Sequence, residues 1–226
     1  MKKFIKKAFL KGRSWLSYLF APSEEKIKFN INSIFDGHLR VAYRGVSFLK
    51  DPFDYVIYQM ILSELRPDLV IEIGTRKGGG ALYLADFMNI IGHGTVHTID
   101  IEKDSDQLLA NHPRIKLFTK GWENYDLNEA RGFTKILVID DGSHLFESTF
   151  GAMKKFSPLV SVGSYFIVED GIINAKKQSM AFNGGPPKAI REFLKISPNF
   201  TVDRKWCDFF GKNATFNVRG YLKRVS

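Results

Sequence analysis

The segment that most constrains the fold runs from Val70 to Gly80, with the sequence VIEIGTRKGGG. Its apolar residues predict a buried strand, and its glycines predict a tight turn and the start of a helix. Because glycine has no Cβ, such a turn lets a ligand approach the main chain closely. The next predicted strand, 95–100, ends in Asp100, where a carboxylate can accept hydrogen bonds from ribose hydroxyls. The pattern indicates the nucleotide-binding half of an α/β protein.

Strands and helices alternate along the chain after residue 53. The predicted strands are 69–73, 95–100, 115–119, 135–140 and 164–169, with two more near 199–203 and 213–222. The predicted helices are 54–65, 78–91, 124–131, 145–156 and 187–195. Four of the strands are apolar along their length, with no alternation of apolar and polar residues, which is typical of strands covered on both faces. The pattern therefore predicts a mainly parallel sheet with right-handed crossovers.

The net charge of +9 belongs mainly to the N-terminal tail. Residues 1–13 hold six basic residues and no acidic one, which leaves 27 basic against 24 acidic residues in the remainder. A nucleic-acid-binding domain is expected to carry its own basic stripe, so nucleic acid is not an expected partner. The length fits one domain, and we predict a basic amphipathic arm over residues 1–25 ahead of a domain over 26–226.

The arm has two interpretations. Residues 1–20 could lie on an anionic membrane surface, or the helix could pack on the domain or on a neighbouring subunit. We favour packing on protein. The arm does not read as a signal peptide, because lysines interrupt any apolar core. The single cysteine, Cys207, fits a reducing compartment, so we expect a cytoplasmic protein, with membrane association through the arm as the alternative.

Acidic residues follow two predicted strands that would neighbour each other in a doubly wound sheet. Asp141 follows the strand 135–140, and Glu169 and Asp170 end the strand 164–169. Their carboxylates should converge beside the cofactor pocket, where they repel one another unless a cation neutralises them. Oxygen ligands suit Mg²⁺, and a bound divalent ion would lower the pKa of a substrate hydroxyl. A lone Asp at a strand end more often caps a helix or binds water, but the clustering favours a metal site.

Two further residues are candidates with open alternatives. His144 could be a general base, because histidine titrates near neutral pH, or it could orient Asp141 or cap the next helix. Trp122, which follows Gly121, could stack on an adenine ring or could simply pack within its loop.

The spacing Glu-x-Gly-x-x-x-Gly differs from the dinucleotide fingerprint and resembles the first motif of class I S-adenosylmethionine (SAM) methyltransferases. Residues 43–225 as a whole resemble the cephalosporin hydroxylase and rhamnosyl O-methyltransferase family. The stretches YRGVSFLKDPFD, EIGT, DGSH and PLVSVGSY, followed by Glu169-Asp170, carry this similarity. The loop Lys120-Gly121-Trp122 stands where the family usually has a Gly-Ser-Ser turn. The substrate-side loops therefore depart from the family pattern, and its particular substrates are not carried over.

The resemblance implies a Rossmann-like class I methyltransferase with a doubly wound, seven-stranded, mainly parallel sheet and an antiparallel terminal hairpin. It implies SAM and Mg²⁺ as cofactors, homo-oligomers, and O-methylation of a hydroxyl on a sugar, glycan or small natural product. The residues expected to hold the cofactor are Glu72, Gly74, Thr75, Gly78, Gly79, Asp100, Gly121 and Trp122. Those expected to hold Mg²⁺ are Asp141, Glu169 and Asp170, and those expected to act in catalysis are Asp141 and His144.

Two other functions stay open at this point. One is an Fe(II)-dependent hydroxylase that uses the acidic trio, although non-haem iron usually binds two histidines and one carboxylate. The other is a binding or scaffold protein that keeps a SAM pocket without turnover.

Overall fold

The computed structural model describes residues 20–102 and 105–226. Most of the predicted arm, including its membrane-contact residues 1–19, lies outside these described residues. The chain divides into a unit that ends at Asp36 and a unit Gly37–Ser226. A short 3-10 turn, Ser23–Glu25, lies in the first unit, and helix α1, Ile31–His38, begins there. Within the described ranges, no helix combines the length and apolarity needed to cross a bilayer.

A seven-stranded sheet runs through the second unit. Its strands, in spatial order, are β5 (Ile115–Phe118), β4 (Thr95–Ile99), β3 (Leu69–Ile73), β6 (Ile136–Asp140), β7 (Tyr165–Val168), β9 (Tyr221–Arg224) and β8 (Phe200–Val202). Strand β9 pairs antiparallel with β7 and with β8, and the other pairs are parallel. A two-stranded hairpin, β1 (Ala42–Tyr43) and β2 (Val46–Ser47), stands apart. The predicted seven-stranded sheet with an antiparallel end is confirmed.

Helices cover both faces of this sheet. The longer ones are α2 (Pro52–Leu65), α3 (Gly79–Ile90), α5 (Phe146–Phe156) and α6 (Gly185–Ile196), and the one-turn helices are α4 (Gln107–Ala110) and α7 (Arg204–Cys207). On one face α2 and α3 pack against β-strand residues such as Val70 and Leu137. On the other face α5 and α6 pack against residues such as Ile71 and Val138. Alternate residues of each strand thus enter different apolar layers, which is why the strand sequences do not alternate in polarity.

Strand β3 lies at the point where the strand order reverses. It pairs with β4 on one side and β6 on the other, and Ile73 stands opposite both Ile99 and Asp140. Open α/β sheets bind ligands outside the carboxyl ends of their strands at such a switch point. The loops after β3, β4 and β6 therefore meet where the sequence predicted a site.

Two predicted elements are wrong, and the cause in each case is hydrogen bonding that periodicity does not reveal. The predicted helix 124–131 is a pair of 3-10 turns, Trp122–Asn124 and Leu127–Ala130, because the Asp126 side chain accepts the Asn128 N–H and starts a separate turn. The predicted strand 213–222 begins only at Tyr221. Its first part is a loop in which the Phe216 N–H is bound by the buried Asp54 carboxylate at 3.0 Å.

Candidate active site

A cavity of about 730 Å³ lies at the carboxyl edge of the sheet, at the switch point. This volume is within the range of ordinary small-molecule sites. Its walls come from the loops after β3, β4, β5, β6 and β7 and from the segment between β2 and α2. The predicted site residues that line it are Glu72, Gly74, Thr75, Gly79, Asp100, Gly121, Trp122, Asp141, His144, Glu169 and Asp170. Gly78 does not line it.

The glycine turn brings the loops after β3 and β6 into direct contact. Gly74 has a φ of 103°, and a Cβ there would lie 2.6 Å from the carbonyl carbon of Asp141 and closer still to its oxygen. The Asp141 N–H in turn donates to the Ile73 carbonyl at 2.8 Å. Gly78 has a φ of 93° at the N-cap of α3, and a Cβ there would strike the Leu109 side chain. Gly78 therefore packs against Leu109 within the turn and does not face the cavity.

Glu72 places a buried carboxyl group beneath the turn. The Thr98 hydroxyl donates to its Oε2 at 2.5 Å, and Thr98 also shares a 2.7 Å hydrogen bond with Thr75. The absence of a Cβ at Gly80 leaves room for Oε1. Burial raises the pKa of Glu72 to about 8, although the Thr98 hydrogen bond opposes the shift. Near neutral pH this group therefore favours its protonated form.

Asp100 joins two loops through its carboxylate. Its Oδ2 accepts the Arg76 N–H at 2.6 Å, and its Oδ1 accepts the N–H groups of Ile101 and Glu102 at 2.7 and 3.0 Å. A carboxylate offers about four lone-pair sites, so a further hydroxyl can still donate to it. Asp100 thus fixes the loops after β3 and β4 and keeps some capacity to bind a ligand.

Trp122 is packed within its loop and also lines the cavity. Its Nε1 donates to the Ser148 hydroxyl at 3.2 Å. Its ring packs on α5 at Gly151, where a Cβ would lie 2.7 Å from the indole. Gly121, with a φ of 77°, donates its N–H to the Asp100 carbonyl at 3.0 Å and turns the chain towards the ring. The ring is therefore held rigidly at the cavity wall.

Asp141, His144 and Asp170 form a second cluster of side chains that lines the cavity. Each offers one ligand atom, and these atoms lie within 4.8 Å of one another. The Nε2 atom of His144 is 3.2 Å from Asp170 Oδ2 and 4.0 Å from Asp141 Oδ1. Burial, and for Asp141 the nearby Asp170, raise the pKa of both carboxyl groups. Ionising both is therefore costly unless a cation is present.

The backbone at this cluster is unusual. His144 and Asp170 have φ values of 58° and 56°, in the left-handed region that non-glycine residues seldom occupy. Backbone of this kind is held in place by its surroundings and concentrates at functional sites. At Asp170 the neighbouring chain contributes, since Asn217 Oδ1 accepts the Asp170 N–H at 3.3 Å.

Glu169, the third predicted metal ligand, lies on the same rim but is engaged by protein groups. Tyr58 donates its hydroxyl to Oε1 at 2.6 Å, and the Lys50 ammonium contacts Oε2. Lys50 Nζ also lies 3.6 Å from Asp141 Oδ2. Burial lowers the pKa of Lys50, but Glu169 and Asp141 outweigh it and raise that pKa above its ordinary value. The carboxylates therefore favour the protonated, charged form of this side chain.

Sequence reasoning assigned no role to Lys50 or Tyr58. Both nevertheless lie in or near the stretch Tyr43–Asp54 that carried the family resemblance. The two residues could therefore be noticed as part of a family motif, but nothing in the sequence indicated their chemical role.

Comparison with known proteins shows the family of this chain. A model of the family described as Rhamnosyl O-methyltransferase/CmcI matches residues 38–225. The rhamnosyl O-methyltransferase of Mycobacterium tuberculosis (strain H37Rv) is 33% identical over 199 residues, which cover 82% of this chain and 80% of the relative. The Mycobacterium leprae (strain TN) protein of the same name is 34% identical over 194 residues, covering 81% and 82%.

Two solved structures share the fold and part of the sequence. The Mg-SAM form of CmcI superposes with a TM-score of 0.63 at 26% identity and covers 83% of this chain and 78% of its own. The SAH form of CmcI superposes with a TM-score of 0.66 at 25% identity and covers 92% and 90%.

Proposed function

This chain belongs to the rhamnosyl O-methyltransferase/CmcI family, and from that premise we propose that it is a SAM-dependent O-methyltransferase acting, with the help of Mg²⁺, on a hydroxyl of a sugar or small natural product. One observation carries the proposal. The glycine turn and Asp100 line the same cavity as the cluster of Asp141, His144 and Asp170. A methyl donor and a group that activates a hydroxyl can therefore meet in one enclosure.

SAM is assigned to the end of the cavity formed by the glycine turn. Gly74 and Gly79 line the cavity, and the remaining lone pair of Asp100 is available to a ribose hydroxyl. The rigid Trp122 ring is a suitable wall for adenine stacking. Glu72 lies beneath the turn, and the methionine portion of SAM would be held near it.

The donor set of the acidic cluster fits Mg²⁺. This ion takes one or two carboxylates and keeps several waters. Asp141 and Asp170 supply two carboxylates, and a bound cation would lower their raised pKa values. When bound, Mg²⁺ would polarise the acceptor hydroxyl and lower its pKa. The cluster departs from the two-histidine, one-carboxylate set of non-haem iron oxygenases, so we do not favour the hydroxylase alternative.

His144 is the residue positioned to move the proton. Asp170 Oδ2, 3.2 Å from Nε2, would orient the ring, and the other ring nitrogen, Nδ1, would then accept the acceptor's hydroxyl proton. The fixed walls at Trp122 and Gly74 hold the reactants, and such positioning supplies much of the rate acceleration in transfer reactions.

The acceptor class follows from the named relatives, which are rhamnosyl O-methyltransferases. A deoxysugar hydroxyl is therefore the first acceptor to test, in free, glycosidic and lipid-linked forms. Homo-oligomer formation and membrane contact through residues 1–20 stay predictions from the sequence. Light scattering and sedimentation with anionic vesicles would test them.

Calorimetry and a methyl-transfer assay test the proposal together. We expect SAM and SAH to bind the full chain, and we expect methyl transfer to a rhamnoside to stop when a chelator is added. Asp141→Asn should keep SAM affinity and lose the Mg²⁺-dependent methyl transfer. The absence of SAM binding would reject the proposal, and binding without turnover on any sugar acceptor would favour the scaffold alternative.

A further inference from the structure

Asn217 lies in the loop between α7 and β9, and the proposed mechanism gives it no task. The residue is completely buried. Its Oδ1 accepts the Asp170 N–H at 3.3 Å, and its Nδ2 donates to the hydroxyls of Tyr58 and Tyr221 at 3.3 and 3.4 Å. Because both ends of the carboxamide are hydrogen-bonded within the protein, its orientation is fixed.

The carboxamide is connected to both of the acidic residues that follow β7. It binds the main chain of Asp170 directly, and it reaches Glu169 through Tyr58, whose hydroxyl donates to Glu169 Oε1 at 2.6 Å. The left-handed φ of 56° at Asp170 decides where the two neighbouring side chains point. Asn217 therefore binds the chain at the residue whose conformation places both carboxylates.

The loop 215–220 also binds the main chain on both sides of these two acids. The Gly220 carbonyl accepts the Val168 N–H at 2.9 Å, before the pair. The Phe216 carbonyl accepts the Ile172 N–H at 2.9 Å, after the pair. The carboxamide supplies the hydrogen bond between these two, at the centre of the turn.

Asp54 of α2 anchors the loop itself. Its buried carboxylate accepts the Phe216 N–H at 3.0 Å and the Tyr221 hydroxyl at 2.6 Å, and the Thr215 hydroxyl also donates to it. Thr215 Oγ1 in turn accepts the Asn217 N–H at 2.9 Å. The loop therefore cannot shift without breaking buried hydrogen bonds, and such bonds are costly to leave unmade.

We propose that Asn217 is a positioning residue that holds the Glu169 and Asp170 carboxylates in the orientation that binds the divalent cation. The inference rests on the metal site of the proposed function and treats both acids as ligands. Groups that orient metal ligands typically change metal affinity by about 10- to 100-fold when they are removed. The residues assigned to SAM follow β3, β4 and β5, so the effect should be confined to the cation.

The test is direct binding of Mn²⁺ to the intact chain, with free Mn²⁺ measured by electron paramagnetic resonance. Asn217→Leu removes the carboxamide at similar size, and Asn217→Ser leaves a hydroxyl too short to bridge Asp170 and Tyr58. We expect both variants to bind Mn²⁺ at least about tenfold more weakly than the wild type. SAM affinity in calorimetry should stay within about twofold, because that part of the site is separate. If Asn217→Leu does not fold, as judged by circular dichroism, Asn217→Ser decides the matter.

Tyr221→Phe is the matched control. It removes a buried hydroxyl that accepts from Asn217 and donates to Asp54, while the links from Asn217 to the two acids stay in place. We expect this variant to lose stability in urea denaturation but to bind Mn²⁺ within about threefold of the wild type. Equal weakening of Mn²⁺ binding in Tyr221→Phe and Asn217→Leu would mean that general loosening of the loop is the cause, and the inference would be overturned. Wild-type Mn²⁺ affinity in the Asn217 variants would overturn it as well.

Asp141→Asn separates this failure from failure of the proposed metal site. If Asp141→Asn loses Mn²⁺ while the Asn217 variants match the wild type, only the role of Asn217 falls. If Asp141→Asn binds Mn²⁺ as well as the wild type, the metal site falls and the inference falls with it.

Discussion

Gly74→Ala tests whether the loops after β3 and β6 touch as tightly as the structure has them. The backbone at Gly74 has a φ of 103°, which costs an alanine about 1–2 kcal/mol relative to glycine. The new methyl group would also lie 2.6 Å from the Asp141 carbonyl carbon, and forcing the loops apart adds about 1–3 kcal/mol. We therefore expect the free energy of unfolding to fall by about 2–5 kcal/mol, measured by urea denaturation of the full chain.

Gly132→Ala is the matched control. Gly132 has a φ of 93°, but no atom lies within 4 Å of a Cβ built there, so this variant carries the backbone cost without the overlap. Because alanine also restricts the unfolded chain, we expect a loss of only about 1 kcal/mol. The difference between the two variants measures the contact between the loops. Equal losses would refute the close approach, and with it the placement of Asp141 beside the turn.

Two further predictions concern the same cavity. Asp100→Ala should weaken SAM binding at least about tenfold in calorimetry, because three backbone N–H groups lose the acceptor that ties their loops together; wild-type affinity would contradict this. Glu72 has a folded-state pKa of about 8, above its unfolded value, so its contribution to stability is present at low pH and is lost as pH rises towards 8. The stability of Glu72→Gln relative to the wild type should therefore increase as pH rises from 5 to 8, as measured by thermal denaturation. A difference that stays constant across that range would show that the folded-state pKa of Glu72 is not raised.

The sheet could be predicted from sequence because its signals are local. The run before Gly74 is apolar throughout, and the strand ends where the glycine turn begins, so strand β3 and helix α3 were predicted to within one residue. The region 213–220 shows the limit of such signals. Its residues resemble those of a strand, but the Thr215 hydroxyl and the Phe216 N–H donate to Asp54, which is far away in the chain. The periodicity of a sequence does not indicate such a distant partner.

Most of the residues that line the cavity could be predicted from sequence, but the contacts between them could not. Strand ends and the switch point were enough to bring Asp100, Asp141 and Asp170 to one edge, since parallel strands end together. The partners of Glu169 come from α2 and the segment before it, more than a hundred positions earlier in the chain. A lysine in that segment reads as an ordinary surface residue until the fold buries it against a carboxylate.

The adjacent acids Glu169 and Asp170, both predicted metal ligands, contact different side chains in the structure, and the difference has a conformational cause. Glu169 and Asp170 are adjacent, and adjacency suggested that they act together. The left-handed φ of 56° at Asp170 turns the chain, so that Glu169 meets Lys50 and Tyr58 while Asp170 meets His144. Two neighbouring acids therefore have different partners. Lys50 offsets the charge of Glu169, and Asp170 faces His144, so a divalent ion that binds all the predicted ligands would have to compete with the lysine for Glu169.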